Sequence, residues 1–231
     1  MPRAARIVVP GVPHHVTQRG NRRQQTFFRD ADYVLYLQLL RTFAVVYGVE
    51  VWGYCLMPNH VHLILTPPDE TALSKAVGEI HKRYTRAINL RERWTGYLWQ
   101  GRFASFAMDD PYFIAASRYV GLNPVRADHV RDARDWPWSS VRAHLTKRDD
   151  GLVRTAPLLS RIDGDVERFF ACDVQEEGLR KLRRASATGK PLGGGAWLKA
   201  LEQKIGANLE VRERGRPKGH VPFCVQKGTC P

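Results

Sequence analysis

Two histidines one residue apart, His60 and His62, sit inside the apolar run MPNHVHLIL at residues 57–65. Side chains at i and i+2 of a strand leave the same face, so this run predicts a strand that brings two imidazoles together and turns Val61 to the other side. Two imidazoles so placed suit one shared divalent metal, with Leu63, Ile64 and Leu65 fixing the strand in a sheet. The competing reading has one histidine exposed and the other bonded to backbone, and spacing alone weighs the two evenly. Neither a carboxylate nor a cysteine lies near enough in sequence to complete a zinc-like set. Tyr119 and Asn123, four residues apart, share one face of a helix. If that face covers the histidine strand, Asn123 adds an oxygen ligand and Tyr119 holds a hydroxyl beside the metal. Each has a structural alternative: Asn123-Pro124 is also a cap followed by a first helical position, and Tyr119 also fits an amphipathic core. Tyr112 is the rival hydroxyl, because seven residues return almost to the same helix face.

The elements that must carry these residues are legible in the surrounding pattern. HHVTQRG (14–20) reads as a strand running into the polar turn GNRRQQ. Asp30 caps a helix whose apolar residues recur at helical spacing and which stops at Gly48. The runs 49–57 and 60–66 form an antiparallel hairpin around Pro58-Asn59. A second helix spans roughly 71–94, and residues 96–109 return to strand composition. A third helix then opens with Asp110 as its cap and Pro111 at its first position. Strand, helix, hairpin, helix, strand, helix predicts an α+β fold with a ferredoxin-like antiparallel sheet, helices packed on one face, and a mainly helical C-terminal extension. Composition shifts near residue 147, which sets domains at 1–147 and 148–231. The second contains a linker over 185–195 and a basic tail over 212–219. Tyr33, Tyr36 and Tyr84 sit among apolar helical neighbours and are expected in the core.

With 231 residues there is enough chain for one sizeable core plus an appendage. Lys and Arg number 36 against 23 Asp and Glu, a net charge of +13, which points to a polyanionic partner. No stretch approaches the roughly 20 apolar residues of a spanning helix, and no signal peptide is read, so a cytoplasmic, nucleoid-associated protein without membrane contact is expected. The four cysteines show neither CxxC spacing nor the density of a disulfide scaffold. Cys55 reads as a small buried hydrophobe. Before Asp30 there are six arginines and no acid, a one-signed arm suited to phosphate.

MPNHVHLIL, LWQGRF (98–103) and YVGLNPVRA (119–127), in that order and after the arm HVTQRGNRRQ (15–24), resemble the REP-associated single-tyrosine transposases of the HUH endonuclease superfamily. The resemblance covers residues 10 to about 145. The segments PLGGGAWLKALEQKIG and RGRPKG further resemble the C-terminal extension of some members. It implies that Tyr119 attacks a DNA phosphodiester, leaving a 5′-phosphotyrosine and a free 3′ hydroxyl. It also implies a divalent cation, Mg²⁺ or Mn²⁺, on His60, His62 and Asn123. A phenol with a pKa of about 10 needs nearby positive charge to act at neutral pH. The implied partner is single-stranded or hairpin DNA, a REP-like element. Its contacts are expected from Arg19, Asn21, Arg22 and Arg23 of the arm, Lys82, Arg83 and Arg86 of the second helix, Arg102, and Arg214 and Arg216 in an AT-hook-like tail. A monomer is expected, with a dimer as the alternative. The rival functions are a non-catalytic DNA-binding regulator, which needs no metal, and a hydrolase that needs no Tyr119.

Overall fold

The computed structural model describes residues 6–162, 165–206 and 209. Four strands, β1 (His14–Arg19), β2 (Glu50–Met57), β3 (His60–Thr66) and β4 (Ala104–Ala107), form one antiparallel sheet in the order β2-β3-β1-β4. That is the ferredoxin-like order, and it puts β1 and β3 at the centre, each paired on both edges. Helices α1 (Asp30–Val46) and α2 (Ala72–Glu92) cross one face. Their residues Tyr36, Leu40, Phe43, Leu73, Val77, Ile80 and Tyr84 bury against Val16, Val61, Leu63 and Leu65. Tyr33, Tyr36 and Tyr84 all belong to this core. A side chain of that size, fully buried, contributes roughly 1.5–3 kcal/mol, so this face alone fixes the register of β3.

The other face is also covered. It is roofed by α3 (Asp110–Gly121), α4 (Asn123–Arg126), α5 (Val141–Thr146), α6 (Ala156–Leu159), α7 (Val166–Ala171) and α8 (Glu176–Thr188). Phe169, Phe170, Leu182 and Ala185 share one core with Ile64, Phe106 and Phe113. The C-terminal extension is thus built onto the sheet. Residues 185–188 of the segment read as linker complete α8, which stops at Gly189 with φ +70°. Leu192 then stitches back to β4, its N–H donating to Ala107 O at 2.9 Å and its carbonyl accepting from Asp109 N at 3.2 Å. A last helix, α9 (Gly195–Ile205), packs Leu201 near Val9 and Ala107. The basic tail at 212–219 lies outside the described residues. No described helix is long and apolar enough to cross a membrane.

Three boundaries differ from the sequence reading, each for a local reason. Asp30 is already helical, and it is Asp32 whose carboxylate accepts from the N–H of Phe28 and Arg29 at 2.9 and 3.3 Å. Asp109, one residue before the expected cap, accepts from Tyr112 N–H at 3.1 Å and starts α3. The strand expected over 96–109 shrinks to β4, because Gly96 (φ +90°) and Gly101 (φ +66°) bend the chain out of extended geometry. The intervening loop instead follows the end of β1, with Asn21 N–H donating to Leu98 O and Gln100 N–H to Arg19 O, both at 2.8 Å.

Candidate active site

The pairing register assembles the site. Arg19 lies opposite His60 and Thr17 opposite His62, so His15, two residues back on β1, sits diagonally across from His62 on the same face. His60 and His62 stand 4.9 Å apart between ring centroids at 81°, and His15 stacks on His62 at 5.2 Å and 9°. Both histidines of the pair are held at Nδ1. His60 Nδ1 lies 2.6 Å from Asn59 Oδ1, and His62 Nδ1 lies 3.0 Å from His15 Nε2. The other end of the Asn59 amide donates to Arg23 O at 3.1 Å. Only an NH₂ group satisfies that carbonyl, which fixes the amide's orientation and makes His60 the donor through Nδ1. Both rings are neutral at neutral pH. Burial first, and then Arg19, pushes His60 down to about 4, while burial followed by its histidine neighbours holds His62 well below its ordinary value. Burial pushes His15 down to about 3.

The roof supplies the rest. Tyr119, near the end of α3, stands edge-on to His62 at 5.4 Å and 89° and to His15 at 6.0 Å and 84°. The Arg126 guanidinium lies 4.6 Å from the Tyr119 ring centre, and its Nη2 donates to Tyr119 O at 2.8 Å. Leu122 divides α3 from α4, and Gly121 lets this corner pack tightly. A Cβ there would meet Phe170 Cε1 at 2.5 Å. Asn123 makes no side-chain cap bond. It opens α4, and its amide Nδ2 lies 3.2 Å from His62 Nε2. A cavity of about 310 Å³ opens over these groups, lined by Arg19, His60, His62, Gln100, Arg102 and Tyr119, with Leu182, Arg183 and Ser186 of α8 along one wall.

The donor set fits a divalent cation. Among the described residues no three His, Cys, Asp or Glu side chains cluster into a metal site. The candidate set is accordingly two neutral imidazoles and an amide. With each Nδ1 occupied, Nε2 is the ring nitrogen that would take a ligand role, at His62 once Asn123 releases it. The Asn123 amide presents its oxygen after a half-turn.

The sequence-nominated residues divide into three groups. Tyr119, His60, His62, Asn123, Arg19 and Arg102 meet at the cavity. Asn21, Arg22 and Arg23 form a 3₁₀ turn at the end of β1, where Arg22 and Arg23 both have positive φ (53° and 62°) and point into solvent. Lys82, Arg83 and Arg86 do not join them, because α2 packs on the opposite face of the sheet. There Glu79 holds Lys82 at 3.4 Å and Arg83 at 3.2 Å. Arg214 and Arg216 lie outside the described residues. Tyr112 is turned away from the cavity lining and packs against the second core. Sequence reasoning missed His15, Asn59 and Arg126. His15 and Asn59 lie within HVTQRGNRRQ and MPNHVHLIL, and only the strand register reveals what they touch. Arg126 follows Tyr119 by seven residues, a helical spacing that carried the signal.

A ferredoxin-like sheet with two adjacent strand histidines under a helix-borne tyrosine defines the class of site. Residues 9–123 match the family described as Transposase IS200 like, and the chain belongs to that family. It is similar to a REP-associated tyrosine transposase of Escherichia coli K12, 28% identical over 99 residues that make up 42% of this chain and 58% of that protein. It is also similar to a Haemophilus influenzae protein provisionally given the same name, 26% identical over 120 residues, 46% of this chain and 68% of the relative. A solved structure of a REP-associated tyrosine transposase bound to a REP hairpin shares the fold. Its TM-score is 0.55 at 24% identity, covering 72% of this chain and 93% of that one.

Proposed function

We propose that this protein nicks and rejoins single-stranded DNA beside a folded hairpin, through a covalent bond between Tyr119 and a 5′-phosphate, with Mg²⁺ or Mn²⁺ at His60, His62 and Asn123. One observation carries the reading: Tyr119 stands 5.4 Å from His62 within a single chain, at a cavity edged by Arg19 and Arg102. In the cleavage step Tyr119 Oη bonds to phosphorus as the bond from phosphorus to the 3′ oxygen breaks. The phenol loses its proton, the 3′ oxygen gains one, and a free 3′ hydroxyl remains. Attack by a 3′ hydroxyl on the phosphotyrosine reverses these changes, so rejoining needs no ATP. When bound, the cation supplies charge that polarises the scissile phosphate and stabilises the departing oxygen.

The residues of the chain set the geometry for that step. Arg126 pins the Tyr119 backbone and places a positive charge over its ring. Arg19 and Arg102 hold phosphate at the cavity mouth, and the solvent-facing Arg22 and Arg23 extend this surface along the strand. Hairpin recognition is supported by the relative solved with a REP hairpin. Completion of the site within one chain supports action as a monomer. The test is an end-labelled, hairpin-flanked single strand incubated with protein and Mn²⁺, then run on a denaturing gel. A protein-DNA adduct that forms with wild type and not with Tyr119→Phe is expected, and an adduct of equal yield from both would overturn the assignment.

A further inference from the structure

We infer that His15 and Asn59 are positioning residues that lock His62 and His60 in the Nδ1–H tautomer, so that both Nε2 lone pairs face the cavity before any ligand arrives. The inference deepens the metal role proposed above and rests on it only for its functional consequence.

A neutral imidazole carries its proton on either nitrogen, and exchange between the two forms turns a ligand into a donor at the same position. At His60 two amides meet the ring, Asn59 and Asn123, and the closer and fixed one is Asn59. Its Oδ1, 2.6 Å away, only accepts, because its NH₂ is committed to Arg23 O. At His62 the choice falls to His15, whose Nε2 lies 3.0 Å from Nδ1, because the Asn123 amide 3.2 Å from Nε2 can turn either of its ends to the ring and selects neither form. If His62 donates through Nδ1, His15 Nε2 accepts and the proton of His15 sits on its own Nδ1. That atom is buried with no hydrogen-bond partner. Leaving a buried polar atom unpaired costs about 1–3 kcal/mol. A histidine buried as deeply as Phe106, against which its ring packs edge-on at 5.3 Å, has no packing need that an aromatic ring would not meet. What the histidine offers there, and a phenyl ring would not, is a polar nitrogen aimed at His62 Nδ1.

Asn59 does a second job with the same amide. Its NH₂ donates to the backbone carbonyl of Arg23, and the backbone carbonyl of Asn59 separately accepts from Gly20 N–H at 2.8 Å. The group that orients His60 is therefore also a clamp on the arginine turn.

The experiment is long-range ¹H–¹⁵N NMR of the histidine rings in metal-free protein, with Mn²⁺ affinity by EPR on the same samples and DNA binding and melting temperature as controls. Wild type should show single Nδ1–H tautomers for His60 and His62. His15→Phe should leave His62 a mixture and weaken Mn²⁺ binding roughly 10–100-fold, the usual effect of losing an outer partner, with DNA binding unchanged. His15→Gln, whose amide oxygen reaches the same position, should restore both readouts. Asn59→Ala should do to the His60 tautomer and to Mn²⁺ affinity what His15→Phe does through His62, and by freeing the arginine turn it should also weaken DNA binding. If His62 keeps its tautomer and its Mn²⁺ affinity in His15→Phe, or if His15→Gln behaves like Phe in a folded protein, the inference is wrong. Fixed tautomers in a wild type that binds no Mn²⁺ would uphold the lock while removing the metal reading.

Discussion

The phenol ring of Tyr119 stands at 89° to the imidazole of His62, 5.4 Å between centroids, and no other tyrosine lines the cavity. The tyrosine ring is therefore set beside the histidine pair by the end of α3, one turn before Asn123. Tyr119→Phe removes one oxygen and keeps the ring contacts, so DNA affinity should change less than about twofold while adduct formation disappears. Tyr112→Phe should retain cleavage, because that side chain packs beside Lys181 of α8. A cleaving Tyr119→Phe, measured in single turnover, would transfer the role elsewhere.

In the proposed metal role, replacing His60 or His62 by Ala removes a ligand outright. The loss of activity should exceed the ~10–100-fold typical of an outer partner. Chelation should silence wild type, and added Mn²⁺ should revive it. Full activity in excess chelator would reject the cation site.

The Tyr119 corner depends on a glycine. A methyl group at residue 121 would sit 2.5 Å from Phe170 Cε1 and 3.0 Å from Val141 Cγ2, and neither neighbour is a flexible chain end. Gly121→Ala should cost about 1–3 kcal/mol by overpacking and lower the cleavage rate by shifting α3 over the histidines. Adding Phe170→Leu should recover part of both losses. Melting and single-turnover rates on the two variants check this, and an unshifted melting temperature in Gly121→Ala would contradict it.

Asp32 and Arg91 clasp the start of α1 to the end of α2, with the carboxylate almost wholly buried. Burial raises the Asp32 pKa, but the hydrogen bonds from Arg91 and from the Phe28 and Arg29 N–H groups outweigh it, and the net direction is down from 3.8. A depressed carboxylate stabilises the fold above its unfolded pKa and loses that contribution as pH falls through the folded value. The stability gap between wild type and Asp32→Asn should therefore be full at neutral pH and shrink only below about pH 4. Arg91→Ala should cost about 3 kcal/mol, the lower end for breaking a buried pair, since the guanidinium is partly solvated. Denaturant midpoints at pH 7 and pH 3 decide it, and a gap that widens on acidification would refute the sign.

The element order and the histidine pair could be read from periodicity because both depend on residues close in sequence. His15 could not, since its role needs the β1–β3 register, and the residues that set that register are the buried Val16, Val61 and Leu63 on the opposite face. The side on which the basic residues of α2 lie could not be read for the same reason. Helical spacing gives a face but not the side of the sheet on which the helix lands, and α2 lands away from the cavity. The strand expected over 96–109 failed on Gly96 and Gly101, whose positive φ values carry the chain around the mouth of the site.

Arg22 and Arg23 extend from consecutive left-handed residues, and Gly20 beneath them has no room for a side chain, a Cβ there lying 2.2 Å from Gln24 O. The turn is thus a rigid mount for two charges at the rim where Arg19 and Arg102 enter the cavity. If those charges hold phosphates of a single strand, each should contribute roughly 0.7 to the slope of log affinity against log salt. Arg22→Gln with Arg23→Gln should then flatten the slope by about 1.4, while the same change at Lys82 and Arg83, held by Glu79 on the far face, should leave it unaltered. Hairpin-flanked single strand, plain single strand and duplex, titrated across a salt series, provide the measurement. Equal slopes for the arginine-turn variant and wild type would remove the turn from the DNA path, and a slope lost on substituting Lys82 and Arg83 would relocate that path to the other face of the sheet.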